Sequence, residues 1–210
     1  MIKIENLQTF GFESALRGMR NAMNSWHLQD FEKCGDEIKI GPNDMRLLLN
    51  LTKAGESHRK VARMMHIQMD VTAPLYWWKD YDTYKVGTVA NSCSTMHKIH
   101  AKEFEVSDFA TDHLDYVGMK VLLCTIDALN LYRYKFNEDK TNKQAWYSMI
   151  QLLPTSYLQK RTLDINYEVA LKILIDRRNH KLDEFRELCE YLLENVPYMK
   201  EIYKAATDKQ

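Results

Sequence analysis

The clearest pattern in the chain is an alternation of apolar and polar residues over residues 65–72. Four apolar side chains alternate there with four polar ones, and a period of two is typical of a strand that is buried on one face. Pro74 follows, and proline suits the first turn of a helix because its missing N–H would have no partner there. The sequence therefore predicts a strand followed by a helix over residues 74–85.

Helical spacing of apolar residues governs most of the remaining chain. Residues 1–10 and 157–165 have strand character instead, while residues 13–26 fit either a short helix or a basic loop. One further helix is predicted after the turn at Gly41 and Pro42, with Asn43 or Asp44 as its N-cap residue. The other predicted helices cover residues 113–136, 143–153, 166–177, 182–194 and a short segment after Pro197. In the longest one we expect a buried stripe formed by Leu114, Val117, Val121, Leu122, Thr125, Leu129 and Tyr132. A mostly helical chain with a few strands predicts an α/β or α+β fold.

Length and charge exclude several classes of protein. The 210 residues suffice for one substantial core, so we expect a single domain over residues 1–210. Basic and acidic residues both number 29, and this balance provides no bulk attraction to nucleic acid or to an anionic membrane. No apolar run approaches the roughly 20 residues that span a bilayer, and no signal-peptide core is visible. Because the four cysteines are far apart, reduced thiols are favoured over disulfides. We therefore expect a cytoplasmic protein that binds neither nucleic acid nor membrane.

Residues 55–98 hold most of the candidate site chemistry. Five aromatic side chains either stack on a planar ligand or pack in the core or at a subunit interface; they are Tyr76, Trp77, Trp78, Tyr81 and Tyr84. The polar run over residues 91–97 either hydrogen-bonds a base or phosphate or forms a plain turn. Cys93 within this run is either a nucleophile, whose pKa Lys85 or His97 would lower, or an inert buried thiol. The spacing of the histidines does not indicate a metal site.

Four short motifs follow one another in this part of the chain. His58 precedes a helix, Ala73-Pro74 ends the predicted strand, and then come Thr83-Tyr84-Lys85 and Cys93-Ser94-Thr95-Met96. This order resembles the flavin-dependent thymidylate synthases, a family that methylates dUMP with FAD and a folate methylene donor. The family has Arg-His-Arg at the third motif and Ser-x-Arg-Tyr at the fourth.

A second block, over residues 152–188, also resembles this family. Asn166 matches an asparagine near the flavin, and Arg177 matches an arginine that contacts the nucleotide. Glu168 and Lys172 stand where the family has arginine and asparagine contacts to the flavin. In both blocks the spacing agrees better than the residue identities do.

The resemblance implies a fold, an assembly and a set of contacts. The implied fold is α/β with a curved mixed or antiparallel sheet flanked by helices, and the implied assembly is a homotetramer whose sites form between subunits. The implied FAD contacts are His58, Thr83, Tyr84, Lys85 and Asn166. The implied contacts to a pyrimidine nucleotide are Asp80, Asn91, Cys93, Ser94, Thr95 and Arg177. No catalytic residue follows from the resemblance.

Two functions are consistent with these residues. The first is a divergent synthase-like enzyme that binds FAD and a pyrimidine nucleotide and transfers a methyl group to dUMP or a related nucleotide. The second is a non-catalytic binding or structural homologue, because Thr83 and Thr95 replace charged family residues. A charge-assisted hydrogen bond contributes roughly 1.5–3 kcal/mol, so losing two weakens binding by about two to four decades. Compensation would have to come from residues such as Arg59, Lys60 or Lys98.

Overall fold

The computed structural model describes residues 2–35 and 37–208, which form a mixed α/β fold. The strands are β1 (Lys3–Phe10), β2 (Glu32–Cys34), β3 (Glu37–Lys39), β4 (His66–Pro74), β5 (Thr88–Ser92) and β6 (Leu158–Asn166). The α-helices are α1 (Phe12–Met19), α2 (Pro42–Lys53), α3 (Lys60–Met64), α4 (Leu75–Tyr81), α5 (Tyr116–Glu138), α6 (Lys143–Leu152), α7 (Tyr167–Arg177), α8 (Asp183–Asn195) and α9 (Met199–Thr207).

Four strands form one sheet in the order β1-β4-β6-β5, and β2 pairs with β3 in antiparallel register. The predicted α/β class, with antiparallel sheets flanked by helices, is confirmed. β4 has the alternating burial that its sequence predicted, with Ile67, Met69 and Val71 buried and their neighbours partly exposed. The sequence did not predict β2, β3 or β5. These strands have only three to five residues, and β2 and β5 are mostly exposed, so they carry no apolar periodicity.

The chain divides into two compact units, and the division falls within each strand of the larger sheet. Unit 1 contains residues 2–3, Val71–Thr83 and Asn91–Arg161. Unit 2 contains Ile4–Asp70, Tyr84–Ala90 and residues 162–208. A single domain over residues 1–210 stays a prediction. In the described part of the chain, every helix is too short or too polar to cross a membrane.

Unit 1 has an aromatic and aliphatic core. Its central cluster consists of Ile99, Phe104, Phe109, Leu122, Ile126, Leu129 and Met149. On α4, Trp77, Trp78 and Tyr81 are buried with ring centroids 4.7–5.4 Å apart, so these three aromatic side chains are core residues. The indole N–H of Trp78 donates to the carbonyl oxygen of Gln159 at 2.9 Å, which satisfies its one polar group.

The structure corrects two predicted helices in detail. α4 ends at Tyr81 and not at Lys85, because the chain turns after Asp82 and enters unit 2, where Tyr84 is buried. In α5, Val117 and Val121 are 65% and 62% exposed, although both belong to the predicted buried stripe. α5 carries apolar residues on several sides, so the position of α6, which packs against it, decides which side is buried.

Unit 2 contains the other helices, and α7 packs there against α3, α8 and α9. The predicted cap of α2 by Asn43 or Asp44 is wrong. The N-cap residue is Gly41, and the Asp30 carboxylate accepts hydrogen bonds from the Asn43 and Asp44 N–H groups at 2.8 and 2.9 Å. The side chain of Asp44 instead points into the interior, where it forms a buried ion pair with Arg20.

Candidate functional site

Unit 2 contains a cavity of about 490 Å³ that has both apolar and charged walls. Its lining comes from residues 56–63, from the turn at Val86 and Gly87, and from α7 with its N-cap residue Asn166. The volume falls within the roughly 300–1,000 Å³ of ligand sites. A second cavity, of about 330 Å³, lies against α5 in unit 1, but Lys120 is its only charged lining residue among those described. The cavity of unit 2 is therefore the candidate site, because several polar groups converge on it.

One face of α7 supplies the charged side of this cavity. Glu168, Lys172 and Asp176 follow at intervals of four residues, which places them on the same face of the helix. Lys172 Nζ lies 3.2 Å from Asp176 Oδ2. The opposite face of α7 is apolar and buried, so its packing fixes which side chains meet the cavity.

Asn166 anchors the start of α7 at the cavity. Its Oδ1 accepts a hydrogen bond from the N–H of Val169 at 2.9 Å, which leaves Nδ2 as a donor. The turn at Gly87 packs directly on this side chain. A Cβ atom at Gly87 would lie 2.7 Å from Asn166 Nδ2, and the φ angle of Gly87 is +77°. Both observations require glycine at this position.

Arg59 and Glu168 form an ion pair in the wall of the cavity. Arg59 Nε lies 3.4 Å from Glu168 Oε2, and the two side chains are only 14% and 15% exposed. At this distance the pair lacks a hydrogen bond, and neither atom has a hydrogen-bond partner within the described chain. Burial raises the pKa of Glu168, while the positive charge of Arg59 acts in the opposite direction.

Tyr84 and Arg177 interact behind the cavity. Arg177 Nε donates to the Tyr84 hydroxyl oxygen at 3.0 Å, and this hydroxyl lies 3.4 Å from Oδ2 of the cavity residue Asp176. The guanidinium group also lies 5.0 Å from the ring centre of Phe185. Burial raises the pKa of Tyr84 despite the nearby Arg177. The arginine is therefore held in one orientation by two aromatic side chains.

The remaining predicted flavin contacts in unit 2 are close to the cavity along the chain. His58 is exposed and lies in a short 3₁₀ helix between the lining residues Glu56 and Arg59. Lys85 is exposed and directly precedes the lining turn at Val86. Unit 2 thus contains five predicted contacts: His58, Tyr84, Lys85, Asn166 and Arg177.

The other six predicted contacts belong to unit 1: Asp80, Thr83, Asn91, Cys93, Ser94 and Thr95. The Cys93 backbone is fixed on β6, because its N–H donates to the Lys160 carbonyl oxygen at 3.0 Å. Its thiol is exposed, so the interpretation of Cys93 as a buried thiol is wrong. The Ser94 hydroxyl oxygen accepts hydrogen bonds from the N–H groups of Met96 and His97 at 3.2 and 2.9 Å, which closes a turn.

Sequence reasoning missed several cavity residues. Glu56, Arg63 and Gly87 line the cavity, yet no local pattern distinguishes them from ordinary loop residues. Asp176 could have been identified from the sequence, because it continues the four-residue spacing of Glu168 and Lys172. Within the described residues, no group of three or more His, Cys, Asp or Glu side chains is arranged to hold a metal ion.

Comparison with known proteins identifies the fold. The sequence matches no protein-family model and no curated protein. The structure is similar to thymidylate synthase ThyX from Helicobacter pylori with FAD and dUMP, with a TM-score of 0.69 and 16% identity over 99% of this chain and 100% of that chain. A second complex of that flavin-dependent enzyme with FAD and dUMP gives a TM-score of 0.64 and 17% identity over 99% and 98% of the two chains.

A third similar structure is the UMP/dUMP methylase PolB from Streptomyces cacaoi bound with 5-Br dUMP. Its TM-score is 0.63, with 13% identity over 98% of this chain and 95% of that chain. All three similarities extend over nearly the whole chain, so the chain has the fold of these enzymes. The fold implied by the sequence resemblance is thereby confirmed.

Proposed function

We propose that this chain binds FAD and a pyrimidine nucleotide, that the flavin occupies the cavity of unit 2, and that the protein transfers a methyl group to dUMP or a related nucleotide. One observation carries the proposal. The resemblance implies flavin contacts at three positions that all line this cavity: Asn166, Glu168 and Lys172. Neighbours with the same fold were solved with FAD and dUMP or with 5-Br dUMP, which supports both ligands.

The lining residues fit a flavin in chemical type. Val86, Val169 and Ile175 provide apolar surface for a ring. Arg63 and Lys172 are exposed cations that can bind phosphate oxygens, and Asn166 Nδ2 can donate a hydrogen bond. Bound FAD would supply hydride transfer, and the protein would supply binding and orientation.

Arg177 is the proposed nucleotide-binding cation of unit 2. Its guanidinium group presents several donors in a fixed plane, which suits phosphate oxygens, and Tyr84 and Phe185 restrict its orientation. Pre-oriented donors lose less entropy when a ligand binds. The other proposed contacts are His58, Thr83, Tyr84 and Lys85 for the flavin and Asp80, Asn91, Cys93, Ser94 and Thr95 for the nucleotide.

Flavin binding is tested by purifying the protein and recording its visible spectrum and thermal unfolding with and without added FAD. We expect retained flavin absorbance or FAD-dependent quenching, together with a higher melting temperature, because a ligand that binds the folded state stabilises it. Absence of all three signals would refute the flavin-binding proposal.

The nucleotide proposal is tested with Arg177→Ala and the matched control Arg178→Ala, which removes the adjacent arginine of the chain. We expect the first variant to weaken dUMP binding by roughly 10- to 150-fold, as for a lost charge-assisted hydrogen bond, and the second to leave it nearly unchanged. Equal affinities of both variants and the wild type would remove Arg177 from the site.

A non-catalytic binding protein is the second candidate function. The observation that favours it is the absence of net positive charge on the described lining of the cavity, because Glu56, Glu168 and Asp176 balance its three basic residues and oppose an anionic cofactor. Release of tritium from 5-tritiated dUMP in the presence of FAD, a reductant and the folate methylene donor separates the two functions. Release above the background of a heat-inactivated sample supports the enzyme, whereas FAD binding without release supports the non-catalytic homologue.

We further propose a cytoplasmic homotetramer that binds neither nucleic acid nor membrane. The equal numbers of acidic and basic residues support the second part. Exposed apolar side chains on α5, among them Tyr116, Val117 and Val121, support burial in an assembly. Light scattering after gel filtration tests the assembly, and a monomer at micromolar concentration would contradict it.

A further inference from the structure

The ion pair of Arg59 and Glu168 has hydrogen-bonding capacity that the described chain does not use. Both side chains line the cavity, and both are mostly buried. Arg59 Nε and Glu168 Oε2 approach within 3.4 Å without forming a hydrogen bond, and neither of these two buried atoms has a hydrogen-bond partner among the described residues. Burying such groups without hydrogen bonds is costly, since each gives up its bonds to water. A ligand that supplies a donor and an acceptor side by side would recover this cost.

We infer that the Arg59–Glu168 pair binds the lactam edge of a planar heterocycle, with Glu168 accepting from a ring N–H and Arg59 donating to the adjacent ring carbonyl. The inference rests on the proposed function and specifies which part of the ligand meets this wall. A lactam fits because its N–H donor and carbonyl acceptor lie next to each other, as the carboxylate and the guanidinium group do here. Both contacts would be charge-assisted.

The charges of the cavity separate this wall from a phosphate-binding region. A phosphate group against Glu168 would meet a buried negative charge, and burial already opposes ionisation of this carboxyl. Lys172 is 67% exposed and Arg63 is also exposed, so these cations can meet phosphates in contact with water. The mostly buried wall is thus assigned to the neutral ring, and the exposed cations are assigned to phosphates.

Two ring systems of the proposed ligands have this edge. In flavin and in uracil, a ring N–H lies between two carbonyl groups, so either ring can satisfy the pair. The shared lactam chemistry is the inference, and the ring that occupies the wall is an outcome of the test.

The test compares riboflavin with 3-methylriboflavin, and uridine with 3-methyluridine, by fluorescence or calorimetric titration of the full chain. Methylation removes the N–H but keeps the ring. We expect the methylated form of one pair to bind roughly 10- to 150-fold more weakly than its parent, as for a lost hydrogen bond to a charged group. If 3-methylriboflavin binds more weakly than riboflavin, the wall belongs to the flavin. If 3-methyluridine binds more weakly than uridine, the wall belongs to the nucleotide base.

Two variants connect this discrimination to the named pair. In Glu168→Gln the ratio between parent and methylated ligand should fall by about tenfold or more, because the acceptor loses its charge. The control Glu56→Gln changes a carboxylate of the same cavity and should keep the ratio.

The outcomes separate this inference from the proposed function. If FAD or riboflavin binds but neither methylated ligand is discriminated, or if Glu168→Gln keeps the ratio of the wild type, the lactam inference is overturned and flavin binding stands. If FAD, riboflavin, dUMP and uridine all fail to bind, the proposed function fails first, and the inference falls with it.

Discussion

Gly87→Ala tests whether the turn at Gly87 and the N-cap of α7 form one packed unit. Alanine at this position has to keep a φ angle of +77°, and its Cβ would lie 2.7 Å from Asn166 Nδ2 and 3.2 Å from Val169 Cγ2. The left-handed conformation costs an L-residue about 1–2 kcal/mol. Moving Asn166 away also weakens its hydrogen bond to the N–H of Val169, and the loss of an N-cap costs about 0.5–2 kcal/mol.

The two effects together predict that Gly87→Ala lowers the free energy of unfolding by about 1.5–4 kcal/mol. Gly35→Ala is the matched control, because Gly35 has a φ angle of +65° but no described atom, apart from its chain neighbours, within 4 Å of the position that a Cβ would take. That variant should lose only the conformational cost, about 1–2 kcal/mol. Urea unfolding followed by tryptophan fluorescence measures both values.

The difference between the two variants isolates the contact at Asn166. A Gly87→Ala variant that is no less stable than Gly35→Ala would refute the close packing of the turn on Asn166. The same preparation should also bind FAD more weakly than the wild type, because Asn166 and Gly87 both line the cavity. Flavin affinity equal to that of the wild type, combined with lower stability, would remove Asn166 from the proposed flavin contacts.

Two further predictions concern charged groups of the chain. Asp44→Asn should lower the free energy of unfolding by about 3–5 kcal/mol, because it removes the carboxylate that pairs with the buried Arg20. The control Asp82→Asn changes an exposed carboxylate and should lower the free energy of unfolding by less than about 1 kcal/mol in the same urea experiment. Similar losses in the two variants would contradict the burial of the ion pair between Arg20 and Asp44. Folding raises the pKa of Glu168 above its ordinary value of 4.5, so ionisation of this carboxyl destabilises the folded protein as the pH rises above 4.5. Glu168→Gln cannot ionise, so its stability relative to the wild type should increase between acidic and neutral pH. Below pH 4.5 the pH dependence of the two proteins should differ little. Unfolding curves of both proteins across this range check the sign, and parallel pH profiles would contradict it.

Long periodic segments of the sequence predicted the secondary structure well. The alternation around Ile67 and Met69 predicted β4, and the pattern after Asn166 predicted α7. Predictions failed where the decisive partner is distant in sequence. Asp30 caps α2 from outside the helix, and the packing of α6 determines which side of α5 is buried.

The candidate site likewise contains some residues that the sequence predicted and some contacts that it did not predict. The resemblance identified Asn166, Glu168 and Lys172 as flavin-contact positions at the start of α7. Glu168 and Lys172 are neighbours on this helix because they are four residues apart. No pattern along the chain indicated that Arg59 would be the partner of Glu168, or that the turn at Gly87 would close on Asn166.

The sequence by itself determined the α/β class and most of the helices, including α7. Periodicity and capping depend on residues that are close along the chain, so these features can be read without the fold. Only the tertiary structure decided which segments enclose the cavity and which charges are buried there. These properties depend on contacts between distant segments, and the loss of water around Arg59 and Glu168, which gives the pair its proposed role in binding, exists only once those segments have packed.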